Sequence, residues 1–283
     1  MKHKIIVLWL AAVAITLAAA VYQRITGPSN PQHSGIRTSD GSAYAFTLPR
    51  SHGGMKDARI EIPVSDTSIK GVLYYKRYPV QEPWTEERMI RDKASLVAYL
   101  PHQPPAGKLE YRLVFTENGK EIRVPEKNPV IIRFRGDVPA PVIIPHVLLM
   151  FLAMLFSNLA ALMALAGNSR FRFYTFATTA VMLTGGMILG PIVQKYAFGE
   201  FWTGFPVGFD LTDNKTLIAF SFWILAAAGN LKKGKSWLTI LAAAVTLIIF
   251  SIPHSARGSE LDYETGRVKT GMVQLSGTGI KST

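Results

Sequence analysis

Apolar residues in this chain gather into long blocks separated by polar segments. The first block covers residues 5–21, and the others cover roughly residues 142–166, 173–193, 216–229 and 237–252. A membrane-crossing helix needs about 20 apolar residues, with about 17 tolerable. The blocks at 142–166 and 173–193 meet this. The last two draw on flanking residues such as Leu211 and Leu231 to complete a span. Residues 5–21 come after Lys2, His3 and Lys4 and read equally as a signal peptide, with Ala18-Ala19-Ala20 as cleavage site, or as a signal anchor. Either one exports the residues C-terminal to it, and a retained anchor is the reading carried forward.

Between the first and second blocks the period changes from helical to two. Residues 58–64, 69–78, 95–100, 109–116, 120–124 and 130–135 have strand period. Glu117-Asn118-Gly119 separates two of these runs, and Asn-Gly between alternating runs is the strongest short hairpin signal. Short strands with a turn signal every ten or so residues predict an immunoglobulin-like β-sandwich. Residues 27–54, rich in Gly, Ser, Pro and His, read partly as linker, and Pro139, Pro141 and Pro145 as a stiff hinge into the next helix.

The pattern thus predicts an α+β membrane protein with an N-terminal signal anchor, an exported immunoglobulin-like β-sandwich and a C-terminal four-helix transmembrane bundle. Its expected parts are an anchor or signal peptide at 1–21, then a linker and the start of the exported domain at 22–54. The sandwich occupies 55–138, the bundle 139–254 with an exported loop at 194–215, and an exported tail 255–283.

Charge sets the orientation. The formal net charge is +12, and much of the excess lies beside the apolar blocks. Arg170 and Arg172 stand in one short connection, and Lys232, Lys233 and Lys235 in another. Short loops rich in Lys and Arg remain cytoplasmic. With Lys2 and Lys4 also inside, residues 22–140, the loop near 190–216 and the C-terminal tail are exported across an inner (cytoplasmic) membrane. Basic residues beside apolar blocks act on topology and lipid headgroups, so lipid is the expected partner and nucleic acid is not. The chain has no cysteine, which excludes disulfides, thiolate metal sites and covalent haem attachment.

Several motifs carry candidate chemistry. Gly229 to Ser236 fits the P-loop spacing, but it joins two apolar blocks with no strand before it, and reads as a basic turn. Asn214-Lys215-Thr216 fits a glycosylation sequon but reads as a helix start, with Thr212, Asp213 and Asn214 as capping residues. Gly186 and Gly190 have the spacing of close helix packing. Ser157 and Asn158 are expected to bond to a neighbouring helix. Met150 and Met154 share a helix face with His146 and read as gap-filling core residues. His146 and His254 each stand directly after a proline at an end of the apolar region and, by the predicted topology, on one face. Each alone reads as an interfacial histidine; facing each other, two neutral imidazoles make a common axial pair for haem iron. The loop at 190–216 carries Tyr196, Phe198, Phe201, Trp202, Phe205 and Phe209 among Gly199, Gly204, Pro206 and Gly208. The rings fit an aromatic belt; the breakers suggest a shaped loop. Asp210 and Asp213 with Lys195 could pair with one another or with a ligand.

The order of these features resembles the cytochrome c assembly, haem-handling membrane protein family. There a helix opens with His-Val and Met, as in His146-Val147 and Met150, and a Gly-rich helix leads to an external loop of the form AWGxxWxWDxxE. Ala197-Phe198-Gly199-Glu200-Phe201-Trp202 and Phe209-Asp210-Leu211-Thr212-Asp213 look like a copy with most tryptophans replaced by Phe. A basic turn and a closing His254-Ser255 complete a likeness over residues 141–263. The resemblance implies haem held by His146 and His254 as axial ligands, with Phe198, Trp202, Phe209 and Asp210 as its cradle, and a cytochrome as partner. The alternative is a non-catalytic membrane subunit whose β-sandwich docks an exported protein. A third reading, hydrolysis by Ser255, Ser259 or Glu260 near His254, has no nucleophile elbow, and the sequence leaves enzymatic activity undecided.

Overall fold

The computed structural model describes residues 2–232, 234–253 and 260–269. It is a mixed α+β protein. Among the described residues three helices are long and apolar enough to cross a membrane, at His3–Thr26, Ala140–Leu165 and Phe171–Phe198, and Ser236–Ser251 is a shorter apolar helix.

After helix α1 (Lys2–Thr26) the chain forms β1 (Gln32–Arg37), β2 (Ala43–Leu48), β3 (Ser51–Gly53), β4 (Ala58–Pro63), β5 (Lys70–Arg77) and β6 (Thr85–Arg88). Next come β7 (Ile90–Asp92), β8 (Ser95–Leu100), β9 (Lys108–Glu117), β10 (Lys120–Val124) and β11 (Val130–Arg135). Residues 27–54, expected partly as linker, therefore fold into the first three strands. Their register pairs Ile36 with Tyr44 and Ser34 with Phe46, and Phe46 is buried.

Strand β9 organises the largest sheet, ordered β3-β11-β9-β5-β6. It is long enough that β11 and β10 pair with its first and second parts, while β5 pairs along nearly its whole length. The Asn118-Gly119 turn joins β9 to β10 with φ of 48° and 80°, the left-handed pair that a two-residue hairpin demands. A second sheet, β4-β8-β7, supplies Ile60, Ile62, Leu96 and Leu100 to a core shared with Leu73, Leu113, Phe115 and Phe134 of the first. In β4 every second residue is buried, so Arg59 and Glu61 face out. Burial of each large side chain is worth about 1.5–3 kcal/mol.

The helices are α2 (Ala140–Leu165), α3 (Phe171–Met182), a π-helical segment (Leu183–Leu189), α4 (Gly190–Phe198), α5 (Leu211–Gly229) and α6 (Ser236–Ser251). Helix α2 is central, packing against α1, α3 and α6. Pro139 is its N-cap, while Pro141 and Pro145 lie within the helix itself and not in a hinge. Small residues line the contacts, with Ala153, Ala160, Ala219, Ala226, Ala242 and Ala243 all buried, and this permits close approach. Buried Trp223 donates from Nε1 to Thr246 Oγ1 at 2.8 Å. Asn158, expected to bond a neighbour, donates to Thr16 Oγ1 of α1 at 3.0 Å. Ser157 is equally buried, yet its hydroxyl has no partner among the described residues. Helix α1 does not stand apart: Gln23 Nε2 also reaches Phe250 O of α6 at 2.8 Å.

Among the expected turns, Gly229 and Ser236 flank a helix–helix connection with no strand before it. Arg172 donates from Nη2 to Asn230 O (2.7 Å) and Leu231 O (3.1 Å), satisfying carbonyls at the end of α5. Lys233 lies outside the described residues.

The β-domain meets the helices closely at Gly136. Gly136 N donates to Ala197 O at 3.0 Å, and a Cβ at Gly136 would lie 2.3 Å from Tyr196 O. Gly136→Ala is expected to destabilise the protein by about 1–3 kcal/mol, the usual cost of overpacking. A lowered apparent melting temperature in detergent, with faster proteolytic cleavage near residue 138, checks this.

Candidate functional site

A cavity of about 410 Å3 lies where α1, α2, the π-helical segment, α4 and α5 converge beneath the β-domain. Its walls are mainly apolar, with Met150, Met154, Met182, Phe151 and Phe250 among them. Such composition and size fit a small-molecule site.

His146 lines this cavity. Its Nδ1 is 2.9 Å from Gly185 O, and a carbonyl only accepts, so Nδ1 carries the proton. In the neutral ring Nε2 then holds the lone pair. Gly185 lies in the π-helical segment, and its carbonyl also accepts from Gly190 N, so the histidine takes the second lone pair. Glycine is also required there for space. A Cβ at Gly185 would meet Leu149 Cβ at 2.7 Å, and one at Gly186 would meet Thr216 Cγ2 at 2.9 Å. Gly190, the second glycine of the expected packing pair, is not tight, its nearest contact being 3.8 Å.

The aromatic segment divides. Residues 190–198, expected as loop, continue the helix through Pro191, whose missing N–H falls at the start of α4, just beyond the π-helical segment. Gly199, with φ of 90°, ends the helix, and only residues 199–210 form the loop. Phe198, Trp202 and Asp210 line the cavity beside His146. Phe209 does not: it is 64% exposed and points away. His254 lies outside the described residues.

Asp210, not Thr212, Asp213 or Asn214, is the N-cap of α5, with Oδ1 accepting from Thr212 N at 2.8 Å. Asp213 is used differently. Its Oδ2 accepts from Thr203 N at 2.6 Å and from Gln194 Nε2 at 3.0 Å, tying the loop to α4. Asn214 Oδ1 accepts from Phe205 N at 2.7 Å. The loop is therefore held from both ends.

Three contributors were not legible as site residues. Arg133 of β11 sits over the Phe198 ring, 3.8 Å from its centroid, and closes the cavity from above. Burial pulls its guanidinium down to about 10, against the opposing attraction of Asp210 and Glu260. Gln194 lines the cavity from α4. Lys215 is 2% exposed and donates from Nζ to Ile252 O (2.5 Å) and Pro253 O (2.9 Å), fixing the end of α6 beside the site. A signal for Arg133 did exist, since Val130, Ile132 and Phe134 alternate with it and mark it as outward-facing. The tertiary fold decides which surface that outward face meets.

A short hairpin of β12 (Glu260–Leu261) and β13 (Val268–Lys269) returns to the same face. Glu260 pairs with Lys108, and Leu261 N donates to Ala106 O at 3.2 Å. Burial lowers Lys108 below the usual lysine range, while Glu260 pulls it back up. Tyr263 donates to Lys108 O at 2.8 Å, and burial pushes its phenol up to about 12. Glu260 is thus engaged in an ion pair. Among the described residues, no group of three His, Cys, Asp or Glu converges to hold a metal ion.

No protein-family model matches the chain, and no curated protein matches it. Neither comparison links it to cytochrome c assembly.

Asp213→Ala leaves the Thr203 N–H and the Gln194 amide without their acceptor and is expected to cost about 1–3 kcal/mol. Asp213→Asn keeps one acceptor oxygen and should cost less. Apparent melting temperatures of the two variants in detergent check the order.

Proposed function

We propose that this is a multi-pass inner-membrane protein that binds haem, or a similar planar cofactor, for cytochrome maturation or electron transfer. In this reading the β-domain is an exported immunoglobulin-like β-sandwich. The α2, Phe171–Phe198, α5 and α6 helices form a four-helix transmembrane bundle, with α1 as a retained anchor packed against it.

The observation that carries the reading is the tautomer of His146. Its Nδ1 proton is committed to Gly185 O, so Nε2 is left as an acceptor in an apolar cavity. Metal-ligating histidines are usually oriented in this way by a carbonyl or carboxylate on the other ring nitrogen. The remaining residues fit the same group. Phe198 and Trp202 offer ring faces, Met150 and Met154 adaptable walls, and Arg133 a cation for an acidic edge. Asp210 is occupied as a helix cap, which makes it a shaper of the cavity mouth more than a ligand contact. Bound haem supplies one-electron redox chemistry, and the protein's part is to fix the iron ligand, exclude water and balance edge charge.

Protein purified in mild detergent and titrated with haemin should develop a Soret band. His146→Ala should abolish or shift that band, and Arg133→Gln should weaken binding by about tenfold, equivalent to about 1.4 kcal/mol. A colourless protein that takes up no haemin overturns the proposal.

A further inference from the structure

The loop at residues 199–210 has two faces of opposite character. Its inner face is tied down. Thr203 is fully buried and bonded to Gln194 and Asp213, and a Cβ at Gly204 would meet Asp213 Cβ at 2.6 Å. Trp202 Nε1 donates back to Phe205 O at 3.0 Å. Its outer face is apolar and uncovered, with Phe201 55%, Phe205 63%, Val207 65% and Phe209 64% exposed. No charged residue falls between Phe201 and Phe209. A rigid loop that holds four large apolar side chains outward presents an interaction surface.

Helix lengths say what covers it. The Phe171–Phe198 helix has 28 residues and, at 1.5 Å per residue, runs about 42 Å, well beyond a hydrocarbon core of about 30 Å. Its end at Phe198 therefore stands in the headgroup region on the β-domain side, where Gly136 meets Ala197. Helix α5 has 19 residues, about 28 Å, so Leu211 starts near the edge of the hydrocarbon. The loop must descend from headgroup level to that edge. The helices that flank it also expose large apolar side chains, among them Ile188, Tyr196 and Ile218.

We infer that the tip formed by Phe201, Phe205, Val207 and Phe209 docks into the lipid leaflet bordering the β-domain. The aromatic rings settle at headgroup depth, where such side chains are favoured. Because Trp202 and Asp210 line the cavity from the reverse side of the same loop, lipid docking fixes the height of the cavity mouth. The inference rests on the membrane-spanning reading of the helices and is independent of haem.

The chain has no cysteine, so single labels can be placed cleanly. Val207→Cys, with Phe201→Cys as a second variant, is labelled with a nitroxide in lipid nanodiscs. Leu225→Cys on the exposed side of α5 and Lys120→Cys in the β9–β10 hairpin serve as references. Collision with oxygen relative to a water-soluble nickel chelate should be severalfold higher at 207 and 201 than at 120. A ratio at 207 and 201 equal to that at 120 means the tip faces water and overturns the inference. A label immobilised and sheltered from both reagents means a protein contact and overturns it equally. If the label at 225 also behaves like that at 120, the membrane-spanning reading itself fails.

Discussion

Where Gly136 meets Tyr196 and Ala197, the β-domain and the helices approach backbone to backbone, and the candidate site depends on that approach. It brings Arg133 of β11 over the ring of Phe198, at the last turn of the long helix. Without it, the helices would hold an open trough and the sheet an ordinary charged outer face. With it, a partly closed cavity has a cation above, a histidine at its side and thioether and aromatic walls below. The short hairpin from Glu260 to Lys269 reinforces the same seam through Lys108 and Ala106.

Several polar groups around the cavity are paired within the protein, as burial favours. His146 answers the Gly185 carbonyl, Asp213 answers Thr203 and Gln194, and Lys215 answers the Ile252 and Pro253 carbonyls just past α6. These bonds connect different helices, so they hold the cavity in shape while leaving His146 Nε2 and the wall surfaces for a ligand. Arg133 keeps its charge at neutral pH despite burial, with Asp210 and Glu260 offsetting part of the desolvation.

Much of the architecture was legible because it depends on local pattern. The Asn118-Gly119 hairpin and the strands β8, β10 and β11 arise from alternation, and the long apolar blocks mark the helices closely. The failures share a cause: tertiary context overrode composition. Residues 27–54 look like linker, yet Ile36 and Phe46 reach the core and make strands of them. Residues 190–198 read as part of the loop, but α4 begins at Gly190 and the helix continues to Phe198. His146, Phe198, Trp202 and Asp210 were recognisable candidates from ring and histidine placement. Phe209 was misplaced, because loop dihedral angles decide which rings face inward. Arg133 and Lys215 were missed because the importance of each comes from a contact far away in sequence, with Phe198 for the first and the end of α6 for the second.

On the proposed reading the cavity is a ligand site and not a packing defect. Native mass spectrometry of protein extracted in mild detergent and exposed to haemin tests this, with wild type beside Gly190→Leu. Gly190 lines the cavity with room for added atoms, so leucine should fill it without breaking the fold. A one-to-one adduct is expected on the wild type and should be lost from Gly190→Leu. Bare protein in both samples, or an adduct retained equally by both, would contradict the claim.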